Sequence, residues 1–127
     1  LRRCVRRIEQ NCPQDVHQLE DDLDTQDILT LNLTRAIQLC VDIGVHIIGQ
    51  SELSAPATMG ETFEHLATMG LLEPDLAHRL RQAVGFRNIA IHNYEAIDWA
   101  IVHTICHQRR QDFREFARAI AQHLDTE

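Results

Sequence analysis

The sequence predicts an all-α fold, an up-and-down bundle of four to five helices. Three observations point to it. The 127 residues include only five Gly and three Pro, and aromatic residues make up 5%, whereas a sheet-rich chain would need more turn residues and more β-formers. From 26 to 49 apolar residues recur at helical spacing without a break. Residues that cap helix N-termini stand before the apolar stretches at 25, 58 and 98. One domain over residues 1–127 accounts for the length, and 44% hydrophobic residues suffice for a core.

Residues 1 to 11 read as the end of a first helix, with Val5 and Ile8 apolar and Arg2, Arg3, Arg6 and Arg7 on a basic face; Cys12-Pro13 stops it. That face reads either as a solvated helix end or as an RNA-backbone contact. The first residue is Leu, not Met, so the start of the chain is expected to be missing. Residues 14 to 24 are polar and acidic, and Asp15 can cap a short turn. Thr25 stands as N-cap of the segment 26 to 49, whose stripe runs through Ile28, Leu31, Ala36, Ile37, Cys40, Val41, Gly44, Ile47 and Ile48. Leu29, Leu33, Leu39, Ile43 and Val45 widen the stripe. A helix apolar on so much of its circumference belongs at the centre of a bundle, with its spare face at a dimer seam.

A loop follows from 50 to 57. Thr58 caps a helix from 59 to 69, with Glu61 at the capping-box position, and Gly70 ends it. Pro74 opens a fourth helix, inward-facing at Leu72, Leu76, Leu80 and Val84. Asp98 caps the last helix, whose inward stripe is Val102, Ile105, Cys106, Phe113, Phe116, Ile120 and Leu124. On that helix Trp99, His103, His107, Arg110 and Arg114 share a second face. It reads as an RNA-facing strip with Trp99 placed to stack on a base, or as a polar face balanced by Asp112 and Glu115. His103 and His107 have the i, i+4 spacing of a zinc pair, but residue 104 is Thr where a zinc protease has Glu. A third ligand would have to come from elsewhere, so no metal site and no cofactor is assigned.

The formal net charge of −7 argues against non-specific nucleic-acid binding. All 12 basic residues are Arg. No apolar run reaches the length of a membrane span and no signal peptide is visible. Four Cys, at 4, 12, 40 and 106, show no paired spacing, which predicts reduced thiols and a cytoplasmic protein.

The fourth helix leads into Arg87-Asn88-Ile89-Ala90-Ile91-His92-Asn93-Tyr94, which gathers a permanent cation, an amide, an imidazole and the chain's one tyrosine. Arginine matches phosphate oxygens with a planar fork of donors. Histidine exchanges a proton near neutral pH. Together they suit phosphodiester cleavage, with no metal required. Five residues of helix turn roughly 500°, so Arg87 and His92 would point about 140° apart. Either the helix ends near His92 and the chain swings round, or a second copy of the chain completes the site.

This stretch resembles the signature of the HEPN superfamily, Arg, a polar residue, a short spacer and His. The added Asn-Tyr gives Arg-x4-His-x-Tyr, the form typical of HepT-type toxins. The resemblance implies a homodimeric, metal-independent endoribonuclease whose antitoxin partner is a minimal nucleotidyltransferase of the MntA kind, adding AMP to the motif tyrosine. On that basis Arg87 and His92 match the catalytic pair, Asn88 the polar follower and Tyr94 the modified tyrosine. In many HEPN proteins a polar residue of the second long helix lies near the pair; Asp27 and Asn32 are the candidates here. The alternative is a catalytically silent helical module that binds a nucleotidyltransferase partner or a nucleotide through Arg87 and Tyr94.

Overall fold

The computed structural model describes residues 1–125. Its axis is a 27-residue helix, the one that the apolar run from 26 to 49 predicted. The chain begins with α1 (Arg2–Asn11), passes through the single-turn α2 (Val16–Glu20) and enters that axial helix, α3 (Leu23–Gly49). Leu29, Leu33, Ala36 and Cys40 of α3 are wholly buried, and the helix packs against α1, α2 and the two helices that follow. α3 starts earlier than expected. Asp22, not Thr25, is its N-cap, accepting from the Thr25 backbone N–H at 3.1 Å and from the Thr25 hydroxyl at 2.8 Å. A carboxylate suits the positive end of a helix better than a hydroxyl does, and these bonds hold the Asp22 carboxyl below its usual range.

α3 also corrects the expectation about membrane spans. Its best 18-residue window has a mean hydropathy of 1.4, so by length and composition it could cross a bilayer. Half of that window is buried inside the bundle, the burial expected of a core helix.

The local signals in the rest of the chain are met by specific bonds. Asp15 caps α2 by accepting from His17 N–H, and Gln26 of α3 donates to the carbonyls of Leu19 and Glu20, tying the short helix down. Thr58 caps α4 (Met59–Thr68) by accepting from Glu61 N–H, while the Glu61 carboxylate accepts from Ala57 N–H, one residue before the position of a standard capping box. α4 ends at Gly70, whose φ of +76° lets Leu71 N–H return to the Leu66 carbonyl and Gly70 N–H to that of Ala67. That is the Schellman closure. α5 (Pro74–His92) lies against α4 and α3 and carries proline in its first turn.

The last helix is not the single α-helix that the pattern suggests. After a 3-10 turn at Tyr94–Ala96, α6 (Trp99–Thr104) passes through a π-helical turn, Ile105–Arg109, into α7 (Arg110–Asp125). Asp98 caps α6 as expected, accepting from Ala100 N–H. Phe63 of α4 meets Phe116 of α7 edge to face at 6.0 Å. Arg79 of α5 donates to Asp112 of α7 at 3.0 Å, next to Glu115, so a largely buried carboxylate has its cation. Leu124, expected inward, is exposed in the last turn.

Candidate active site

Arg87 and His92 both lie on α5. The helix continues through His92 and closes there, with Asn93 N–H bonded to the Ile89 carbonyl at 2.8 Å. The chain turns only afterwards, at Asn93, where φ is −152° and ψ is 71°. The swing considered from the sequence therefore comes too late to bring His92 toward Arg87, and the helical divergence between them stands.

Arg87 is half-buried between the buried Phe86 and Ala90. Its Nη1 donates to the Asn88 side-chain oxygen at 3.3 Å. Its Nε is buried and has no hydrogen-bond partner among the described residues. A buried guanidinium N–H without an acceptor is costly in a finished structure and well suited to a phosphate oxygen. Asn88 and His92 are exposed.

Tyr94 opens the 3-10 turn and folds back over the start of α3. Its hydroxyl donates to Asp27 Oδ1 at 2.7 Å, and its ring meets Trp99 edge to face at 6.0 Å. Burial of the phenol, together with the Asp27 contact, pushes its pKa above the ordinary value. Of the two polar candidates on the axial helix, Asp27 is thus the one that reaches the motif. Asn32 is buried and donates within its own helix to the Ile28 carbonyl.

The second face of the last helix behaves differently from a solvent-facing strip. His103 and His107 both turn their Nε2 atoms to the Pro13 carbonyl, at 2.9 and 2.6 Å. Arg114 pairs with Glu9 of α1, Arg110 is half-buried beside Cys12, and Trp99 is half-buried against Tyr94. The five do share a face, as their spacing requires, but α1 and the Cys12–Pro13 corner cover much of it. Cys12 is the residue that sequence reasoning missed, because nothing in local spacing could bring a thiol across some ninety positions.

With the motif at the end of α5 and its tyrosine anchored to α3, a comparison with known families is decisive. A family model described as "Ribonuclease HepT-like" matches residues 1–120. The chain belongs to the HepT-like ribonuclease family. It is 35% identical over 120 residues to the mRNA nuclease HepT of Shewanella oneidensis, covering 94% of this chain and 90% of that one. It is 30% identical over 111 residues to the tRNA nuclease HepT of Aphanizomenon flos-aquae, covering 85% and 76%. Its fold matches that of the tri-AMPylated Shewanella oneidensis HEPN toxin, solved in complex with MNT antitoxin, with a TM-score of 0.88 and 35% identity over 95% of this chain and 90% of that one.

In this HepT-like chain a depression of about 650 Å³ adjoins the motif between α5 and the α6–α7 segment, with Phe86, Ile89, Ile97, Ile101, Ile105 and Phe113 in its walls. Ile89 and Ile101 are 45% and 52% exposed, and Ile91, next to the motif histidine, 51%. Ile89 and Ile101, both in the walls of this depression, form an open apolar surface beside the motif, of the kind that marks an interaction site.

Proposed function

We propose that the protein is the endoribonuclease toxin of a toxin–antitoxin pair and that it acts as a homodimer without a catalytic metal. The observation that carries this reading is the presence, on the last turns of one helix, of an arginine whose Nε has no acceptor among the described residues and of an exposed histidine. In the proposed reaction an RNA 2′-hydroxyl attacks the adjacent phosphorus. His92 takes the hydroxyl proton or protonates the departing 5′-oxygen, and the bond to that oxygen breaks to leave a 2′,3′-cyclic phosphate. Arg87 stabilises the charge on the phosphorane, and Asn88, bonded to Arg87, orients the fork.

Because Arg87 and His92 diverge on α5, one protomer does not aim both at one phosphate. Two copies meeting at a two-fold axis would bring the arginine of one toward the histidine of the other. The exposed Ile89 and Ile101, which share one depression, are the apolar surface such a seam would cover. The family likeness to a tri-AMPylated toxin with its MNT antitoxin supports a minimal nucleotidyltransferase as partner, with Tyr94 as the residue it modifies. AMP there adds bulk and negative charge beside a site for an anionic substrate.

The test is cleavage of RNA by the purified, unmodified protein in excess EDTA, with analysis of the product ends. Cleavage that persists in EDTA and leaves cyclic phosphate supports the reading. No cleavage by wild type under any metal condition would sink it and leave a binding module. Co-expression with a neighbouring nucleotidyltransferase gene, followed by intact-mass measurement and peptide mapping, tests the modification of Tyr94 separately.

A further inference from the structure

Cys12, at the end of α1, lies beside two histidines from the other end of the chain. One ligand atom each from Cys12, His103 and His107 falls within 4.8 Å of the others. All three residues are half-buried, so they are neither solvated surface groups nor sealed in the core. The two imidazole rings sit 4.4 Å apart between centroids. We propose that Cys12, His103 and His107 form a zinc site, with the fourth position taken by water.

The donor chemistry favours this ion. One thiolate and two imidazoles are a borderline-soft set, unsuited to calcium or magnesium and typical of tetrahedral zinc. An imidazole that ligates through one nitrogen generally donates its other N–H to a carbonyl or carboxylate, which fixes the ring. The Pro13 carbonyl oxygen lies 2.9 and 2.6 Å from Nε2 of the two rings and 3.8 Å from the Cys12 sulfur, so each Nε2–H serves the carbonyl and the ion would take each Nδ1. One carbonyl that orients two histidines next to a thiol is the support such a site needs. Arg110 is a neighbouring positive charge that opposes a cation, and the thiolate offsets it.

The backbone supports the same placement. Pro13 ends α1 and fixes the corner that holds Cys12 and the shared carbonyl. His103 is in the last full turn of α6, and His107 is inside the π-helical turn. Such turns, rare within helices, recur at functional sites. Zinc here would staple the N-terminal segment to the last helix. Trp99, one turn before His103, is the side chain against which Tyr94 packs, so the staple would also steady the floor under the motif tyrosine. This role is separate from catalysis, and the chemistry of Arg87 and His92 does not depend on it.

The experiment is titration of chelator-treated, reduced protein with Zn2+ and, in parallel, with Co2+. One equivalent of Zn2+ is expected to bind, to raise Tm and to protect Cys12 from alkylation in a peptide map. The cobalt form is expected to show a thiolate-to-cobalt charge-transfer band and the visible bands of tetrahedral cobalt. Cys12→Ser should abolish the charge-transfer band, and His103→Gln or His107→Gln should each weaken Zn2+ binding about tenfold or more. His46→Gln, on an exposed turn of α3, should change nothing. Should the variants fold poorly, the alkylation map and cobalt spectrum of the wild type decide alone. No Zn2+ uptake by wild type, Zn2+ that leaves Cys12 fully alkylated, or undiminished binding by a folded Cys12→Ser would overturn the site.

Discussion

Arg87 and His92 stand five residues apart on one uninterrupted stretch of α5, and so project about 140° from each other around the helix axis. If a complete site takes its arginine from one protomer and its histidine from the other, two dead variants can rescue each other. Mixing Arg87→Ala with His92→Ala and letting subunits exchange should restore roughly a quarter of wild-type cleavage, since half the dimers are mixed and each has one intact site. Rescue is read against each variant alone. A mixture as inactive as its components would place the pair within one protomer.

The two residues should fail in different ways. Arg87→Lys keeps the charge and loses the fork, so cleavage should fall by about 10²-fold. His92→Ala should fall by about 10²- to 10⁴-fold. His92 is exposed, and its removal should change stability only within the small range of surface substitutions, about ±0.5 kcal/mol. Single-turnover rates together with thermal melts separate loss of chemistry from loss of fold.

The Tyr94 phenol has a raised pKa, first through burial and then through its bond to Asp27. Asp27→Asn removes the carboxylate charge, so the phenol should ionise at lower pH than in wild type. With one Tyr in the chain, absorbance at the tyrosinate band reports it cleanly. The folded state holds this proton more tightly than the unfolded state does. The contact therefore contributes stability below the ordinary phenol range, and that contribution disappears as pH rises through the folded value. An unchanged titration in Asp27→Asn would mean that burial alone sets the shift.

At Gly44 α3 packs closely against α4. A Cβ there would lie 2.6 Å from Thr62 Cγ2 and 3.0 Å from Leu66 Cδ1, and Thr62 and Leu66 are themselves fully buried. Alanine is favoured over glycine in a helix by about 1 kcal/mol, but overpacking costs about 1–3 kcal/mol. Gly44→Ala should lower Tm, whereas Gly49→Ala, with open space around its Cβ position, should not. The pair of melts checks that the close approach, not helix propensity, decides the sign.

The helices were legible wherever a local rule governs them. Asp15, Thr58, Pro74, Gly70 and Asp98 each mark a boundary that the structure keeps, because caps and breakers act within a few residues. Asp22 escaped notice because Thr25 is also a good cap, and only the folded geometry shows the threonine serving as donor to the aspartate. The π turn at Ile105–Arg109 leaves almost no mark on an apolar pattern read over whole turns. At the site, the motif could be read in one stretch because six of its residues, 87 to 92, follow one helix. The choice of Asp27 over Asn32, and the meeting of Cys12 with His103 and His107, depend on how distant helices pack, which periodicity does not encode.

The hydroxyl of Tyr94 bonds to Asp27 across 67 residues of sequence, and this makes it a latch whose bolt is a single hydrogen. Any group esterified to that oxygen removes the hydrogen, and a phosphoryl group also sets its negative charge against the aspartate. A modified tyrosine would therefore be released as well as enlarged, freeing the elbow at 93–98 from the head of the axial helix. The unmodified protein is the latched form, and its modification would be felt along α3 as well as at the mouth of the site.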